Sequence, residues 1–376
     1  MRQSRWWVVR GMLGLCLAMG LLAALPALAQ RVEGDRAGAS GVYDAEVPVN
    51  NQTEAERNNG FARALAQVLA KISGDRAATA RPGVGQELRR AKDYVAGYDY
   101  RQDQGVSATT GAPTFGTTLI VRFDQAKVEG VISALGLPVW PQPRPKPVLW
   151  LAIDDGKGPR LVGLEQSNAA RSILDRAIER GYRLGLPSGS AAELAAVGAI
   201  WRGDSGAISR LSARYSPPMQ LIGKLYRKGT GWKADWVFVD NGRVLSTWSS
   251  EDGDARRAMA AGADGAADAL IRRYARQSGG AGPAGNYRVL ITGIDSADDY
   301  IRLMSHLQEI SVVRRIRPIS AGPEGLALEL ELISGLPGFR RMIQGRGILV
   351  GSEPPAGAED SEASASTSVV PIFDLR

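Results

Sequence analysis

The sequence predicts an α+β protein built from three small α/β-sandwich modules. Two observations predict this class. Proline-rich and glycine-rich breaks divide the chain into three parts after a short N-terminal segment. Within each part, apolar residues recur with the two-residue period of strands in some stretches and the 3.6-residue period of helices in others. Mixed runs of strands and helices are typical of sheets covered by helices.

The first 29 residues have the pattern of an export signal. Three arginines precede residues 11–25, an apolar run without charge. Ala27 and Ala29 then give the small-x-small pattern that a signal peptidase recognises. The run is 15 residues long, shorter than the roughly 20 that a membrane-spanning helix needs. We therefore expect cleavage before Gln30 and an exported protein. The alternative is a retained signal that anchors the chain in the inner membrane.

Residues 42–140 form the first predicted module. Thr53 and Glu56 have the spacing of a capping box, which satisfies two free N–H groups at a helix start. Apolar residues follow at helical spacing, and Gly74 is placed to end the helix. The order of elements reads β-α-α-β-β-α. The apolar positions of this helix are Phe61, Leu65, Val68, Leu69 and Ile72.

The second module covers residues 148–276, after an extended linker in which prolines alternate at 141–147. Its first segment, 148–153, is a continuous apolar run that suits a buried strand. Further strands are predicted at 182–186 and 220–226. A hairpin follows around Asn241-Gly242, the pair preferred in a type I′ turn. Helices interrupt these strands, so a mixed sheet covered by helices is expected.

The third module, residues 286–350, reads β-α-β-β-α-β. This is the order of the ferredoxin-like sandwich, which we therefore expect here. Residues 351–376 are predicted to be a mostly disordered tail, because the part up to 368 is rich in Ser, Ala and Glu and poor in large apolar residues. Residues 369–375 regain apolar character and are predicted to dock as an edge strand.

Composition excludes several kinds of chemistry. The only cysteine, Cys16, lies in the predicted signal, and His306 is the only histidine. Thiol nucleophiles, disulfides, Ser-His-Asp triads and His-rich zinc sites are therefore not expected after export. Without the signal's arginines the chain has 43 basic and 39 acidic residues, a net charge of +4. No basic stripe interleaved with aromatic residues indicates a nucleic-acid partner, and no later segment is apolar enough to span a membrane. We expect no cofactor, no metal and no catalytic residue.

Asp154 and Asp155 are the best candidate carboxylate pair. They follow the buried strand 148–153, and α/β sheets commonly bind ligands at the carboxyl ends of strands. A general acid–base or divalent-cation site is one interpretation. A polar turn is the other, since Asp154 to Gly158 is rich in turn-forming residues.

Trp232, Trp236 and Trp248 fall on the two strands of the predicted hairpin. One interpretation is ring stacking within the core or on the sheet. The other is an exposed aromatic platform for a glycan, a small ligand or a protein partner.

The chain after the signal carries a series of short motifs: Val47-Pro48-Val49, the helix from Ala62 to Lys71, Ser73 to Arg76, Tyr94-Val95, Gly136 to Trp140, Val148 to Gly156, Tyr215, Ile222-Gly223, Leu225-Tyr226 and Gly293 to Tyr300. In this order, the motifs resemble a proteobacterial family, domain of unknown function 2066 (DUF2066). The resemblance covers most of the chain after the signal. It implies an exported protein of a Gram-negative bacterium, with no activity attached. The middle segment is also similar to the envelope modules of TolB N-termini and curli-type lipoproteins, which are binding modules. The chain departs from the pattern at Ser216-Pro217-Pro218.

These observations favour a non-enzymatic periplasmic protein that acts through contacts with envelope proteins, as a binding or assembly factor. Two alternatives stay open. One is a carboxylate- or metal-dependent hydrolase centred on Asp154 and Asp155. The other is a glycan or small-ligand sensor that uses the hairpin tryptophans.

Overall fold

The structure is a computed structural model of the chain, and it describes residues 41–106, 112–215, 218–344, 347–351 and 370–376. The predicted signal peptide and most of the predicted tail lie outside the described residues. Within them, helices and strands are mixed and the strands form four small sheets. This architecture agrees with the predicted α+β class.

The first module is a three-stranded antiparallel sheet whose apolar face is covered by helices. The strand order is β1–β3–β2, and the two longer helices, α1 and α3, pack into the same core as the sheet. A two-residue strand, β4, leads out of the module. The elements are β1 (Asp44–Val49), α1 (Glu54–Ser73), α2 (Val84–Arg89), β2 (Val95–Val106), β3 (Pro113–Phe123), α3 (Gln125–Ala134) and β4 (Pro138–Val139).

The ends of α1 follow from local chemistry. The Thr53 hydroxyl accepts the N–H of Glu56, which confirms one half of the predicted capping box. The other half is wrong, because the Thr53 N–H donates to Asn51 Oδ1 and the Glu56 carboxylate accepts the N–H of Asn50 instead. The helix stops at Gly74, which has φ of 72° and donates its N–H to Ala70 O. This left-handed position favours glycine because a Cβ would be strained there. The predicted apolar stripe faces the sheet and is buried throughout.

The second module has a five-stranded mixed sheet in the order β6–β5–β7–β8–β9. Only β5 and β7 are parallel. Helices α4 and α8 cover one face, and α6 and α7 cover the other. The elements are β5 (Val148–Asp154), β6 (Arg160–Leu161), α4 (Arg171–Glu179), α5 (Ala191–Leu194), α6 (Val197–Arg202), α7 (Ser205–Leu211), β7 (Met219–Lys228), β8 (Gly231–Asp240), β9 (Arg243–Asp252) and α8 (Ala255–Tyr274).

Two sequence predictions in this module have different outcomes. The hairpin between β8 and β9 is confirmed, with φ of 49° at Asn241 and 75° at Gly242, as a type I′ turn requires. The strand predicted at 182–186 is reduced to an isolated bridge at Gly185 and Leu186, where Gly185 pairs with Val148. The side chains of Tyr182, Leu184 and Leu186 instead fill the core, which explains their apolar alternation.

The third module contains a five-stranded sheet in the order β12–β13–β11–β15–β14. Helices α9 and α10 pack into one core with this sheet. The short strand β10 lies before the module. The elements are β10 (Arg276–Gln277), β11 (Gly285–Thr292), α9 (Ala297–Glu309), β12 (Val313–Gly322), β13 (Gly325–Leu332), α10 (Gly335–Ile343), β14 (Leu349–Gly351) and β15 (Ile372–Leu375).

The C-terminal strand docks inside the third sheet. β15 lies between β11 and β14, parallel to the first and antiparallel to the second. Its Phe373 is fully buried and meets Phe339 edge to face, with ring centroids 5.2 Å apart. The prediction of a docked strand holds, but the prediction that it lies at the edge is wrong. An interior position buries Phe373 on both sides, which an edge position would not.

The segment between the first two modules does not behave as a free linker. Trp140 is 1% exposed and lies in the core of the second module, 6.1 Å from the Tyr182 ring. Its backbone N–H donates to Ile72 O at the end of α1 in the first module, at 2.7 Å. Directly before it, β4 pairs with β10. We call this contact, made by β4, Trp140 and β10, the Trp140 junction.

The third module contacts the first at several points. Gln86 donates its side-chain N–H to Gln308 O at 3.0 Å. Ala134, at the end of α3, is buried in the core of the third module. After β10, Gly282 donates its N–H to Ser334 O at 2.7 Å. The first module therefore contacts the third through a side-chain hydrogen bond and apolar packing, and it contacts the second through the backbone hydrogen bond of Trp140.

Two tryptophan rings lie beneath glycines of α8. A Cβ on Gly262 would be 2.5 Å from the Trp236 ring, and a Cβ on Gly265 would be 2.2 Å from the Trp248 ring. Real Cβ atoms do not approach other atoms this closely. Glycine costs a helix interior about 1 kcal/mol relative to alanine, but at these two positions only glycine lets the helix pack this closely on the rings.

We predict that Gly262→Ala lowers the free energy of unfolding by about 1–3 kcal/mol, because the new methyl group overpacks against Trp236. The matched control is Gly130→Ala in α3, where a Cβ would meet nothing within 4 Å. That change should be neutral or stabilising by up to about 1 kcal/mol. Urea unfolding followed by circular dichroism measures both. Equal effects of the two substitutions would contradict the packing argument.

Candidate functional site

The predicted pair Asp154 and Asp155 lies at the carboxyl end of β5. Asp154 accepts the backbone N–H groups of Gly156 and Gly158 on one oxygen, at 2.8 and 3.1 Å. Asp155 accepts from the Arg160 guanidinium at 2.7 Å. Both glycines have positive φ, so the chain reverses tightly and returns as β6. The pair therefore builds the turn between two strands.

This geometry does not favour acid–base chemistry at the pair. Desolvation raises the pKa of Asp155, but the Arg160 charge and hydrogen bond and nearby backbone N–H groups outweigh it and hold the pKa below its usual range. A general acid at neutral pH needs a raised pKa. Among the described residues, no three His, Cys, Asp or Glu side chains come together as a set of metal ligands.

An open cavity of about 630 Å³ lies beside this turn. It occupies the place where the helices on the two faces of the sheet meet, next to the edge strand β6. Its walls are mostly aliphatic, and Leu194 at the rim is 50% exposed. The Asp155–Arg160 ion pair lies at its border. The lining residues are Ile153, Asp155, Pro159, Arg160, Leu161, Val162, Gln166, Ala169, Leu194 and Val197.

Polar groups around the cavity are engaged with the protein itself. The Gln166 side chain accepts the N–H of Gly163 at 3.2 Å, and Arg160 binds Asp155. Small-ligand sites usually present a few polar groups that fix the ligand's orientation. An apolar cavity with its polar groups occupied suits an apolar anchor better than a polar substrate.

A buried carboxylate positions the rim of the cavity. Glu193, directly before Leu194, is 1% exposed and accepts hydrogen bonds from Ser188, Ser190 and the Tyr215 hydroxyl. Burial raises the pKa of Glu193, but these hydrogen bonds outweigh it and keep the pKa low. The charged carboxylate therefore fixes the start of α5, the short helix that carries Leu194. The sequence carried one signal of this site, the Ser190-x-x-Glu193 spacing of a capping box.

The three hairpin tryptophans do not form an exposed platform. Trp236 is 1% exposed and stacks on Trp248 at 6.5 Å, beneath α8. Trp232 is partly buried, and the Arg227 guanidinium lies 4.3 Å from its ring centroid. The interpretation of these residues as a ligand or glycan surface is therefore wrong for the stacked pair. The sequence could not show that α8 would cover them.

A second cavity, of about 300 Å³, lies between the first two modules and contains a buried lysine. Lys71 of α1 is 4% exposed, and its ammonium donates to Asp44 O at 2.7 Å. Burial lowers the pKa of Lys71 to about 8, although the charges of Asp44, Glu179 and Glu46 act in the opposite direction.

Ion pairs join the two modules beside this cavity. Arg76, after α1, lies 3.2 Å from carboxylate oxygens of both Asp264 and Asp268 on α8. Arg180, after α4, contacts the same two carboxylates at 2.9 and 2.7 Å. The arginines around the cavity are thus committed to a network that holds the modules together.

The signal residues Ala27 and Ala29 lie outside the described residues. Among the helices that are described, none combines the length and the apolar character that crossing a bilayer requires.

Comparison with known proteins gives one match. A family model described as Domain of unknown function (DUF8605) matches residues 37–141. This range contains the first module and ends one residue after Trp140. Searches of curated proteins and of solved structures give no match. The first module is therefore similar to a family whose description names no activity.

We predict a pH-dependent stability effect of Lys71. Its pKa is about 8 in the folded state and 10.5 in the reference state, so the unfolded chain binds more protons between these values. Stability therefore rises with pH across this window. Relative to Lys71→Met, the wild-type free energy of unfolding should rise by about 3 kcal/mol from pH 8 to 10.5.

Chemical denaturation of both proteins across this pH range measures the difference. The control is Lys92→Met, since Lys92 is 68% exposed. The difference in free energy of unfolding between the wild type and this variant should not change with pH. If the difference for Lys71→Met is also independent of pH, the buried-amine account is contradicted.

Proposed function

We propose that the protein is a non-enzymatic, exported binding factor of the Gram-negative envelope that holds a partner protein through the cavity beside β6. The single observation that carries this proposal is the open, mostly aliphatic cavity of about 630 Å³ with the exposed Leu194 at its rim. Export is supported by the N-terminal sequence pattern and the resemblance to DUF2066. The periplasm is the proposed location, with an inner-membrane anchor as the alternative.

The partner is a protein that presents an aromatic or aliphatic anchor side chain. Pockets of this kind in protein interfaces typically receive such anchors, which carry most of the binding energy. A rim with the Asp155–Arg160 pair offers one charge of each sign to the partner's flanking residues. A hydrolase at this site has less support, because both carboxylates are engaged in the turn.

The proposal also covers the fold of the third module. We propose a ferredoxin-like unit for β11 to β14, supported by the order β-α-β-β-α-β. The inserted β15 is a departure from the four-stranded pattern. The similarity of the second module to TolB and curli-type envelope modules likewise supports a binding role, as a resemblance of sequence.

We predict that a photo-reactive amino acid at position 194 cross-links one envelope protein in living cells. The same amino acid at Lys92, an exposed position in the first module, should not. Ala169 is exposed and lines the cavity, so Ala169→Trp should fill the cavity without disturbing the core and abolish the adduct. Immunoblotting and mass spectrometry of the adducts measure the result.

Three outcomes would overturn the proposal. They are no protein adduct at position 194, the same adduct at both positions, or an adduct that persists in Ala169→Trp. If native mass spectrometry shows only a small apolar molecule, lost in Ala169→Trp, the cavity is a small-ligand site.

A further inference from the structure

The cavity of about 300 Å³ between the first two modules is lined mainly by polar side chains. We call it the Lys71 cavity. Its walls come from β1, α1 and Arg76 in the first module, and from α4 and Arg180 in the second. The volume lies at the lower end of the range for small-ligand sites, so the cavity suits a small molecule.

The Lys71 ammonium has more hydrogen-bond donors than acceptors within reach. Lys71 is buried, and an ammonium carries three N–H groups. Asp44 O, at 2.7 Å, is its one hydrogen-bond acceptor among the described residues. The carboxylates of Asp44, Glu46 and Glu179 act on it through their charge, without a hydrogen bond. Buried charges in proteins are normally paired and hydrogen-bonded. Because Lys71 forms part of the cavity wall, further acceptors for its N–H groups have to lie in the cavity.

Two arginines of the same wall also keep unused N–H groups. Arg76 contacts Asp264 and Asp268 through Nη2 alone. Arg176 uses Nε for Asp264 and Nη1 for Glu179. Nε and Nη1 of Arg76 and Nη2 of Arg176 have no acceptor in the part of the chain that the structure describes. The ion pairs between the modules therefore use only some of the donors that these side chains offer.

The carboxylates that line the cavity are already engaged. Glu46 accepts from the Arg101 guanidinium at 2.7 Å, and Glu179 accepts from Arg176 at 3.1 Å. Asp264 and Asp268 balance the arginines from outside the lining, whereas no carboxylate contacts the Lys71 ammonium directly. A wall with spare cationic donors and occupied acceptors favours a ligand that brings negatively charged acceptors.

We propose that the Lys71 cavity binds a small molecule through an oxyanion group, a phosphate or a carboxylate, which accepts hydrogen bonds from the Lys71 ammonium and from unused N–H groups of Arg76 or Arg176. Both kinds of group offer the oxygen acceptors that lysine and arginine bind. Since the walls belong to two modules, the ligand bridges them and stabilises their contact by mass action. This site is separate from the β6 cavity and does not depend on the function proposed there.

An NMR titration tests the contact with Lys71 directly. In protein labelled with ¹³C at the ε carbons of its eight lysines, the Lys71 signal is assigned by its loss in Lys71→Met. The titrants are sodium phosphate, sodium succinate and, at equal ionic strength, sodium chloride. At pH 7, below the Lys71 pKa of about 8, the amine is charged. We expect phosphate, succinate or both to shift this signal to saturation by ~10 mM, and chloride to leave it in place.

Isothermal titration calorimetry of variants tests the site without relying on one substitution. Lys71→Met should raise the dissociation constant about tenfold or more, because a hydrogen bond to a charged group is lost. Lys92→Met, at an exposed lysine, should not change it. Gln67 is exposed and lines the cavity, so Gln67→Glu adds a carboxylate to the wall and should also weaken binding. The matched control is Gln104→Glu, at an exposed position on β2, the opposite edge of the first sheet.

The two anions distinguish the source of the oxyanion. A response to phosphate alone identifies a phosphate ligand, a response to succinate alone identifies a carboxylate, and a response to both supports the shared chemistry. Three results would overturn the proposal: no saturable shift of the Lys71 signal with either anion, undiminished binding in Lys71→Met, or equal effects of Gln67→Glu and Gln104→Glu.

Discussion

Insertion of Trp140 into the core of the second module is the contact on which the arrangement of the whole molecule depends. Its side chain belongs to one module, while its backbone N–H satisfies the last turn of α1 in another. Helix ends leave carbonyl groups that need a partner, and Trp140 supplies one from outside the helix. The Arg144 guanidinium packs over the Trp140 ring, 4.1 Å from the ring centroid. Because β4 also pairs with β10, the chain passes through this point twice, on its way into the second module and out of it.

Charged groups around the Trp140 junction specify orientation more than they add stability. Arg76 and Arg180 meet the same two aspartates from different modules, but Arg76 and Asp268 are about half exposed, and exposed ion pairs add little stability. Lys71 shows the cost of burying a charge, because its ammonium is buried against a backbone carbonyl and its pKa falls. The ion pairs of Arg76 with Asp264 and Asp268 and the hydrogen bond from Trp140 to Ile72 therefore set how the first module sits against the second.

Local chemistry explains which parts of the fold could be predicted from sequence. The Thr53 cap, the Gly74 helix end and the Asn241-Gly242 turn depend on neighbouring residues, and all three were predicted. Strand β6 was missed because it is a two-residue return after a tight turn. The interior position of β15 depends on pairing with β11, some 80 residues earlier, which no local pattern encodes.

For the site, Asp154 and Asp155 marked the right region, but their role as a turn and the cavity beside them follow from three-dimensional packing. The platform interpretation is wrong for Trp236 and Trp248, because Gly262 and Gly265 bring α8 onto their rings.

The central claim is that the three modules form one cooperative unit through the Trp140 junction. Differential scanning calorimetry of the wild type and of Trp140→Ala tests it most directly, with Phe115→Ala as a control, since Phe115 is 74% exposed. The account predicts a single transition for the wild type and the control. Trp140→Ala should lower the free energy of unfolding by about 3–5 kcal/mol and should show separate thermal transitions, because the modules uncouple. Separate transitions in the wild type, or an unchanged single transition in Trp140→Ala, would contradict the account.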